Sequence, residues 1–384
     1  MNILIPSASF MFTDNFSFGE GIYSYLLLKH LTKFGYNFYV ISSDFRLNKK
    51  EERMTFIRNC SFLRNNLIKA GGCRHGRKLL STALFNIGSC LISKRIMKKN
   101  KIDLVHHIAP AASNYDFDIL PIMNRMDAPF IFGPIFQAPP KRQVLLLTSK
   151  IYKETLRKCD VIVTGTNYLK KIYSKIFTHA NVVRIPLGVD TKFFKVEKSQ
   201  RNRKYSEILS VGALRKYKGL HYLIQAMPEI LKEHKNTILR IIGSGPELKN
   251  LSRLSRKLKV DSKVIFQGFV AHTDIPKFFK ECDIYCHAAP WEAFGVVMIE
   301  AMASGKPVVA SDWGGQVDIV DDGETGYLVK PRNPAALADA VIKLLDDGES
   351  LERMGRKGRE KAEREFSWSS IAKKYRALYS QLAS

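Results

Sequence analysis

Residues 289–315 read APWEAFGVVMIEAMASGKPVVASDWGG, and this stretch decides the fold. It follows a short apolar run, Asp283–His287, that reads as a buried strand. Gly295 is placed to open a helix that runs to about Ala303. Gly305, Lys306 and Pro307 stop it ahead of a second apolar strand, Val308–Ala310. A strand, a helix and a further strand in this order are the parts of a parallel crossover. Glu292 falls in the loop before the helix and Glu300 on the helix itself, a Glu-x7-Glu spacing. A carboxylate accepts two hydrogen bonds from vicinal hydroxyls, such as those of a ribose or a hexose. The backbone amides around Phe294–Val296 open the helix and suit a diphosphate. Two glutamates taken alone read more readily as solvated surface groups, so the flanking sequence has to decide.

Outward from this stretch, strand and helix signals alternate along the whole chain. Asn2–Pro6 reads as a first strand, Gly21–Phe34 as a helix with Ile22, Leu26, Leu27 and Leu31 at helical spacing, and Asn37–Ser42 as a strand. DLVHHI, PFIFG and DVIVTG follow as short apolar runs. The pattern restarts at Glu207–Val211, followed by helix Gly219–Leu231, strand Thr237–Ile242, helix Glu247–Leu258 and strand Lys263–Gln267. The polar, basic stretch Thr191–Tyr205 between the two series reads as a linker. The expectation is an α/β fold of two Rossmann-like domains with parallel sheets covered on both faces. Ligands of such sheets bind at the carboxyl ends of the strands, here in a cleft between the domains.

Composition narrows the class. The chain of 384 residues carries a formal charge of +25, with 28 basic against 12 acidic residues in 1–190 and 33 against 24 in 191–384. The excess is densest in 46–101, where 15 basic residues face only Glu51 and Glu52. Such a field attracts phosphate-rich partners: nucleic acid, anionic lipid or a lipid-linked phosphate. RNP, zinc-finger and basic-zipper patterns are absent, so no specific nucleic-acid partner is expected. Cys60, Cys73, Cys90, Cys159, Cys282 and Cys286 form no CxxC pair and read as reduced, buried thiols. MNILIPSAS runs straight into a strand pattern, so no signal peptide is expected. The longest mostly apolar stretch, Leu79–Ile92, falls short of the ~20 residues that span a bilayer. Within 74–101 the same stretch lies between basic clusters. It reads either as a segment lying on an anionic membrane surface or as a core helix with solvated basic ends.

EAFGVVMIEAMASGKPVVAS resembles the signature of the retaining glycosyltransferases of family 4, which have the GT-B fold of two Rossmann-like domains facing a central cleft. The resemblance implies that Glu292 contacts the donor sugar hydroxyls and Glu300 the ribose. It places the backbone of Phe294 and Gly295 near sugar and phosphates. VGALRKYKGLHYLIQA resembles the family's VGRL…KG loop, whose Arg and Lys hold the donor diphosphate. Lys218 matches the Lys, whereas Ala213 stands at the Arg position and Arg215, two residues on, is the substitute candidate. IIGSGPE matches a turn beside the nucleotide, where Gly243 and Gly245 allow close backbone approach. QGFV, ending at Val270, matches the loop that meets the base. ASDWGGQVDIV and TGYLVKP resemble the family's closing strands, with Asp318 where the family has Glu.

In the N-terminal half the likeness is looser. FGEGIYSYLLLKHL holds Gly19 and Gly21 where the family often has two adjacent glycines near the diphosphate. DLVHHIAP resembles a segment that often carries an active-site His. Alternation points His106 and His107 to opposite faces. His107 is the choice for the cleft, with a buried structural role as its alternative. The resemblance divides the chain into an acceptor-binding domain 1–190, a nucleotide-sugar-binding domain 191–366, and a helix 367–384 crossing back to the first domain. It implies an enzyme with no metal and no cofactor, since the nucleotide-sugar is a substrate. The expected reaction transfers a hexose-type sugar, the donor taken as a UDP-sugar, to a glycan or lipid-linked acceptor in surface polysaccharide or glycolipid synthesis. It retains the anomeric configuration by a front-face route, with Glu292, His107 and Lys218 at the reacting centre. The expected location is cytoplasmic, peripheral on the inner face of the membrane. The alternatives are a GDP-mannose or ADP-glucose donor, or a glycosyltransferase-like binding subunit without turnover.

Overall fold

The alternating pattern resolves into two parallel sheets in a computed structural model. The structure describes residues 1–6, 11–13, 19–42, 44–47, 51–58, 88–108, 128–135, 159–178, 180–197 and 205–383. The chain divides into two units, Met1–Pro186 with Ile371–Ser384, and Leu187–Ser370.

The first unit holds seven strands in the order β5-β3-β1-β6-β7-β8-β9. These are β1 (Asn2–Ile5), β3 (Asn37–Ser42), β5 (Met54–Arg58), β6 (Leu104–His107), β7 (Phe130–Ile135), β8 (Val161–Thr164) and β9 (Asn181–Arg184), all paired in parallel. A two-residue-period pattern is missing from β6 and β8 because every residue in them is buried. A sheet covered on both faces demands this. Helix α1 (Gly19–Thr32) buries Tyr23, Leu27 and Leu31 at four-residue spacing, and Gly35 follows it at φ 83°. The small β2 (Met11–Thr13) and β4 (Asp44–Arg46) pair with each other.

The sequence reading missed β5, which lies inside the basic region. It is an edge strand, and only its first residue, Met54, is buried, so it carries little apolar signal. Of segment 74–101, residues 88–99 form a helix, α2, with Ser89, Cys90, Ser93 and Ile96 buried. Ile96 joins the first unit's core, and Ile92 and Met97 pack against it. Leu91, Arg95, Lys98 and Lys99 are exposed. One face of this helix packs on the core, as the core-helix alternative expects; residues 74–87 lie outside the described residues.

The second unit has six strands in the order β12-β11-β10-β13-β14-β15. They are β10 (Ser206–Val211), β11 (Thr237–Ile242), β12 (Val264–Gly268), β13 (Ile284–His287), β14 (Val308–Ser311) and β15 (Gly326–Val329), again all parallel. Its main core gathers Ile208, Leu239, Ile284 and Val309 with Leu223 and Met227 of helix α3 (Leu220–Glu233) and Val341 and Leu344 of helix α4 (Pro334–Asp346). In both units the chain builds outward one way from the first strand, then returns and builds the other way. That reversal leaves a switch point beside the first strand of each sheet: β1/β6 in one unit and β10/β13 in the other.

The segment read as a linker is partly a packed turn. Asp190 Oδ1 accepts from the backbone N–H groups of Lys192 and Phe193 at 2.9 and 3.0 Å, and Phe194 is buried. Arg359 donates to the carbonyls of Thr191 and Phe194 at 2.9 and 2.7 Å, and also to that of Ala303. Polar composition hid a segment held by its own carboxylate and one guanidinium. Residues 198–204 lie outside the described residues. Cys90, Cys159, Cys282 and Cys286 are buried free thiols. Among the described residues no helix is long and apolar enough to cross a membrane.

Candidate active site

The switch point of the second sheet brings two loops together. One leaves β10 and contains the short turn Lys216–Lys218; the other leaves β13 and contains Glu292. Their closeness depends on Gly219 at φ 68°, where an added Cβ would lie 2.1 Å from the carbonyl oxygen of Ala288. A side chain there would push the loops apart. Lys218 Nζ consequently pairs with Glu292 Oε2, while Glu292 Oε1 accepts from the amide of Ala293 at 3.2 Å.

A third group completes the cluster. His287, the last residue of β13, is buried and places Nε2 3.4 Å from Glu292 Oε2. Its Nδ1 lies 3.1 Å from the hydroxyl of buried Tyr285. Burial pushes the Glu292 carboxyl up, but the neighbouring His287 imidazole and the Lys218 ammonium outweigh it and hold the group at about 2. Glu292 is therefore a fixed carboxylate that can only accept hydrogen bonds, as a polyol ligand requires.

Helix α5 (Val296–Ala303) begins at Gly295, whose φ of 92° turns the chain into the helix. A Cβ on Gly295 would sit 3.3 Å from Glu292 Cγ, so this backbone lies directly against the carboxylate side chain. Phe294 anchors the loop by burying its ring, 6.2 Å from Phe366 and edge-on to it. Glu300, one turn from the helix end, is buried and its Oε1 accepts from His272 Nε2 at 2.7 Å. His272 belongs to the turn that follows β12 and half-buried Val270.

Two further glycines of the second unit, Gly243 and Gly245, lie just past the carboxyl end of β11. Gly243 follows β11; a Cβ on it would meet the carbonyl oxygen of Gly212 at 2.0 Å, and its amide donates to Gly268 O at 2.8 Å. Gly245 presses likewise on the carbonyl of Leu214, at 2.4 Å from its ideal Cβ. Backbone thus meets backbone where the chain leaves β10 and β11. Arg215 is exposed, two residues from exposed Ala213.

Among the residues singled out from sequence, the structure therefore brings Lys218, Glu292 and Gly295 into one cluster. Glu300 lies on the helix that starts there, and Gly243, Gly245 and Val270 lie on the neighbouring loops. Gly19, Gly21 and His107 belong to the first unit. Both glycines fall in the first turn of α1. His107 ends β6, buried, with its ring stacked on Phe132 at 5.1 Å and 5°. His106 is accounted for by the core: Tyr379 hydroxyl lies 2.6 Å from its Nδ1 and Gly133 O lies 2.9 Å from its Nε2.

His287 and His272 escaped the sequence reading. The signal for His287 was its two-residue spacing from Tyr285, which puts both side chains on one face of a strand just before Glu292. His272 meets Glu300 only because the loop after β12 and helix α5 stand side by side at the sheet end. No local spacing encodes that.

Two parallel, doubly wound sheets in one chain are the parts of the GT-B fold. Sucrose-phosphate synthase from Thermosynechococcus elongatus shares the architecture over 99% of this chain and 98% of that one, with a TM-score of 0.76 at 21% identity. HepE from Anabaena, solved in complex with UDP, matches over 100% of both chains with a TM-score of 0.71 at 19% identity. The sequence pattern of Glycosyltransferase Family 4 matches residues 19–193, and that of Glycosyl transferases group 1 matches residues 191–361. The chain belongs to this glycosyltransferase family, group 1 or family 4. An uncharacterized glycosyltransferase of Methanocaldococcus jannaschii is 34% identical over 235 residues, which cover 61% of this chain and 59% of that protein. The match therefore spans less than two thirds of that relative's length.

Proposed function

We propose that the protein transfers a hexose-type sugar from a nucleotide-sugar donor, with UDP as the nucleotide, to a glycan or lipid-linked acceptor. The observation that carries this reading is the Lys218–Glu292–His287 cluster, with Glu300 eight residues further along the same loop and helix. Its spacing suits one extended ligand. Glu300 would accept from the ribose hydroxyls. Lys218 and the amides at the start of α5 would meet the diphosphate. Glu292 would accept from hydroxyls of the sugar. Lys218 then acts on charge that grows on the leaving diphosphate, which is electrostatic catalysis by a group already in place. Glu292 is held ionised and is aimed at binding, so an acid–nucleophile carboxylate pair of the glycosidase kind is not part of the proposal. Transfer with retention, the leaving phosphate assisting removal of the acceptor proton, is the route this arrangement fits.

A thermal-shift panel with UDP, GDP and ADP tests the donor. Stabilisation by UDP above the other two, diminished in Glu300→Ala, is the expected outcome. A preference for GDP or ADP would replace the donor base and keep the site. No shift with any of them would leave a glycosyltransferase-like chain without a working donor pocket.

A further inference from the structure

We infer that His272 is a positioning residue for nucleotide recognition: it fixes the Glu300 carboxylate so that its second oxygen faces a ribose diol. The inference rests on the donor reading above. A glutamate carboxyl rotates broadly about its terminal torsion, and a diol contact requires one orientation. Glu300 is 6% exposed, so water cannot set that orientation from all sides. His272 does it directly, with Nε2 2.7 Å from Oε1. The nitrogen must donate, because the carboxylate oxygen only accepts. One oxygen of Glu300 is thereby committed and the other is left for ligand.

His272 is itself clamped. Its ring stacks on Phe193 with centroids 6.0 Å apart at 23°, and meets Phe194 edge-on at 5.3 Å and 72°. Phe194 in turn packs edge-on to Phe279 at 6.0 Å, and its carbonyl is tied to Arg359. The amide of Asp274 closes the turn on Ala271 O at 2.8 Å. This chain of contacts runs from the packed turn at 190–194 to the carboxylate, so the imidazole has little freedom to leave it. A histidine that merely satisfied a buried carboxylate would need no such clamp.

The test compares the nucleoside diphosphate that binds best among UDP, GDP and ADP with its 2′-deoxy form, by calorimetry. It uses the full chain and its His272→Ala and His272→Gln variants. With His272→Ala, affinity for the ribonucleotide should fall roughly tenfold, the size of one hydrogen bond to a charged group. Affinity for the deoxynucleotide should stay within about twofold, so discrimination between the two collapses. Gln, which can donate from its amide, should restore most of the discrimination. Deoxynucleotide binding also reports that the variants are folded. Equal losses for both nucleotides, or no loss for either, would overturn the inference while leaving the donor reading intact. Absence of binding by any nucleotide to the unaltered protein would remove the donor reading and this one with it.

Discussion

The two sheets share one order over six strands, the first adding a seventh at its edge, yet their switch points hold different chemistry. In the second unit the ends of β10 and β13 present a lysine, a carboxylate and an imidazole in contact. In the first unit β6, which ends at the corresponding point, closes on two buried histidines. One is locked to Tyr379 and Gly133; the other is stacked on Phe132. Topology supplies the location in both cases, and the residues at the strand ends decide what happens there. On the proposed reading the second sheet uses these groups to hold a charged ligand. The first spends its polar strand-end groups largely on its own core.

Kinetics give the widest contrast. Lys218→Ala and Glu292→Ala should each lower turnover by roughly 10²–10³-fold, as expected when a group acting on transition-state charge or its partner is lost. The double variant should be little worse than either single one, because the groups act as a unit. His107→Ala should cost only about tenfold in kcat, as for a group supporting one hydrogen bond. Equal losses at His107 and Lys218, measured by initial rates at saturating donor, would erase the contrast between the sheets.

Backbone gives a smaller contrast. Gly219→Ala forces a Cβ against the Ala288 carbonyl at a left-handed φ of 68°, so the two loops must shift. A loss of about 2–4 kcal/mol is expected, combining strain and overpacking. Gly35→Ala in the first unit has a left-handed φ of 83° but open space around the new methyl, and should cost about 1 kcal/mol. Chemical denaturation of both variants checks the difference. Similar losses would show that loop closure in the second unit does not depend on this glycine.

Much of this was legible in the sequence. Fully buried strands such as LVHH and VIVT read as strands because a covered parallel sheet demands apolar runs. Lys218 and Glu292 stand out because their loops resemble the family signature, and in the structure Gly219 lets those two loops meet. What stayed hidden depended on long-range register. Glu300 and His272 are 28 residues apart and meet through sheet order. Alternation could not separate His106 from His107, since both faces of β6 are covered and both histidines are buried. The edge strand β5 escaped because its half-solvated side chains carry little pattern.

The first unit's polar core can be tested by pH. Burial pulls His106 down to about 3; the carbonyl of Gly133 opposes this by favouring the protonated ring, and nearby His107 adds to the depression. The geometry explains why the ring stays neutral. A carbonyl only accepts, so Nε2 carries the proton and donates to Gly133, and Nδ1 must accept from the Tyr379 hydroxyl. Protonating Nδ1 would set two donors against each other unless the tyrosine turned away. Below the ordinary histidine range near pH 6.5 the unfolded chain binds this proton and the folded chain does not. Stability contributed by the neutral ring is therefore present above that range and lost as pH falls toward about 3. The slope from this one group approaches about 1.4 kcal/mol per pH unit. Hydrogen exchange at β6 and β7 should show protection falling between pH 6 and pH 4 by more in the natural protein than in His106→Gln, which cannot titrate. Parallel loss of protection in both proteins would mean that His106 does not govern the acid sensitivity of this core. The first sheet would then owe its acid response to surface carboxylates rather than to the histidine at its switch point.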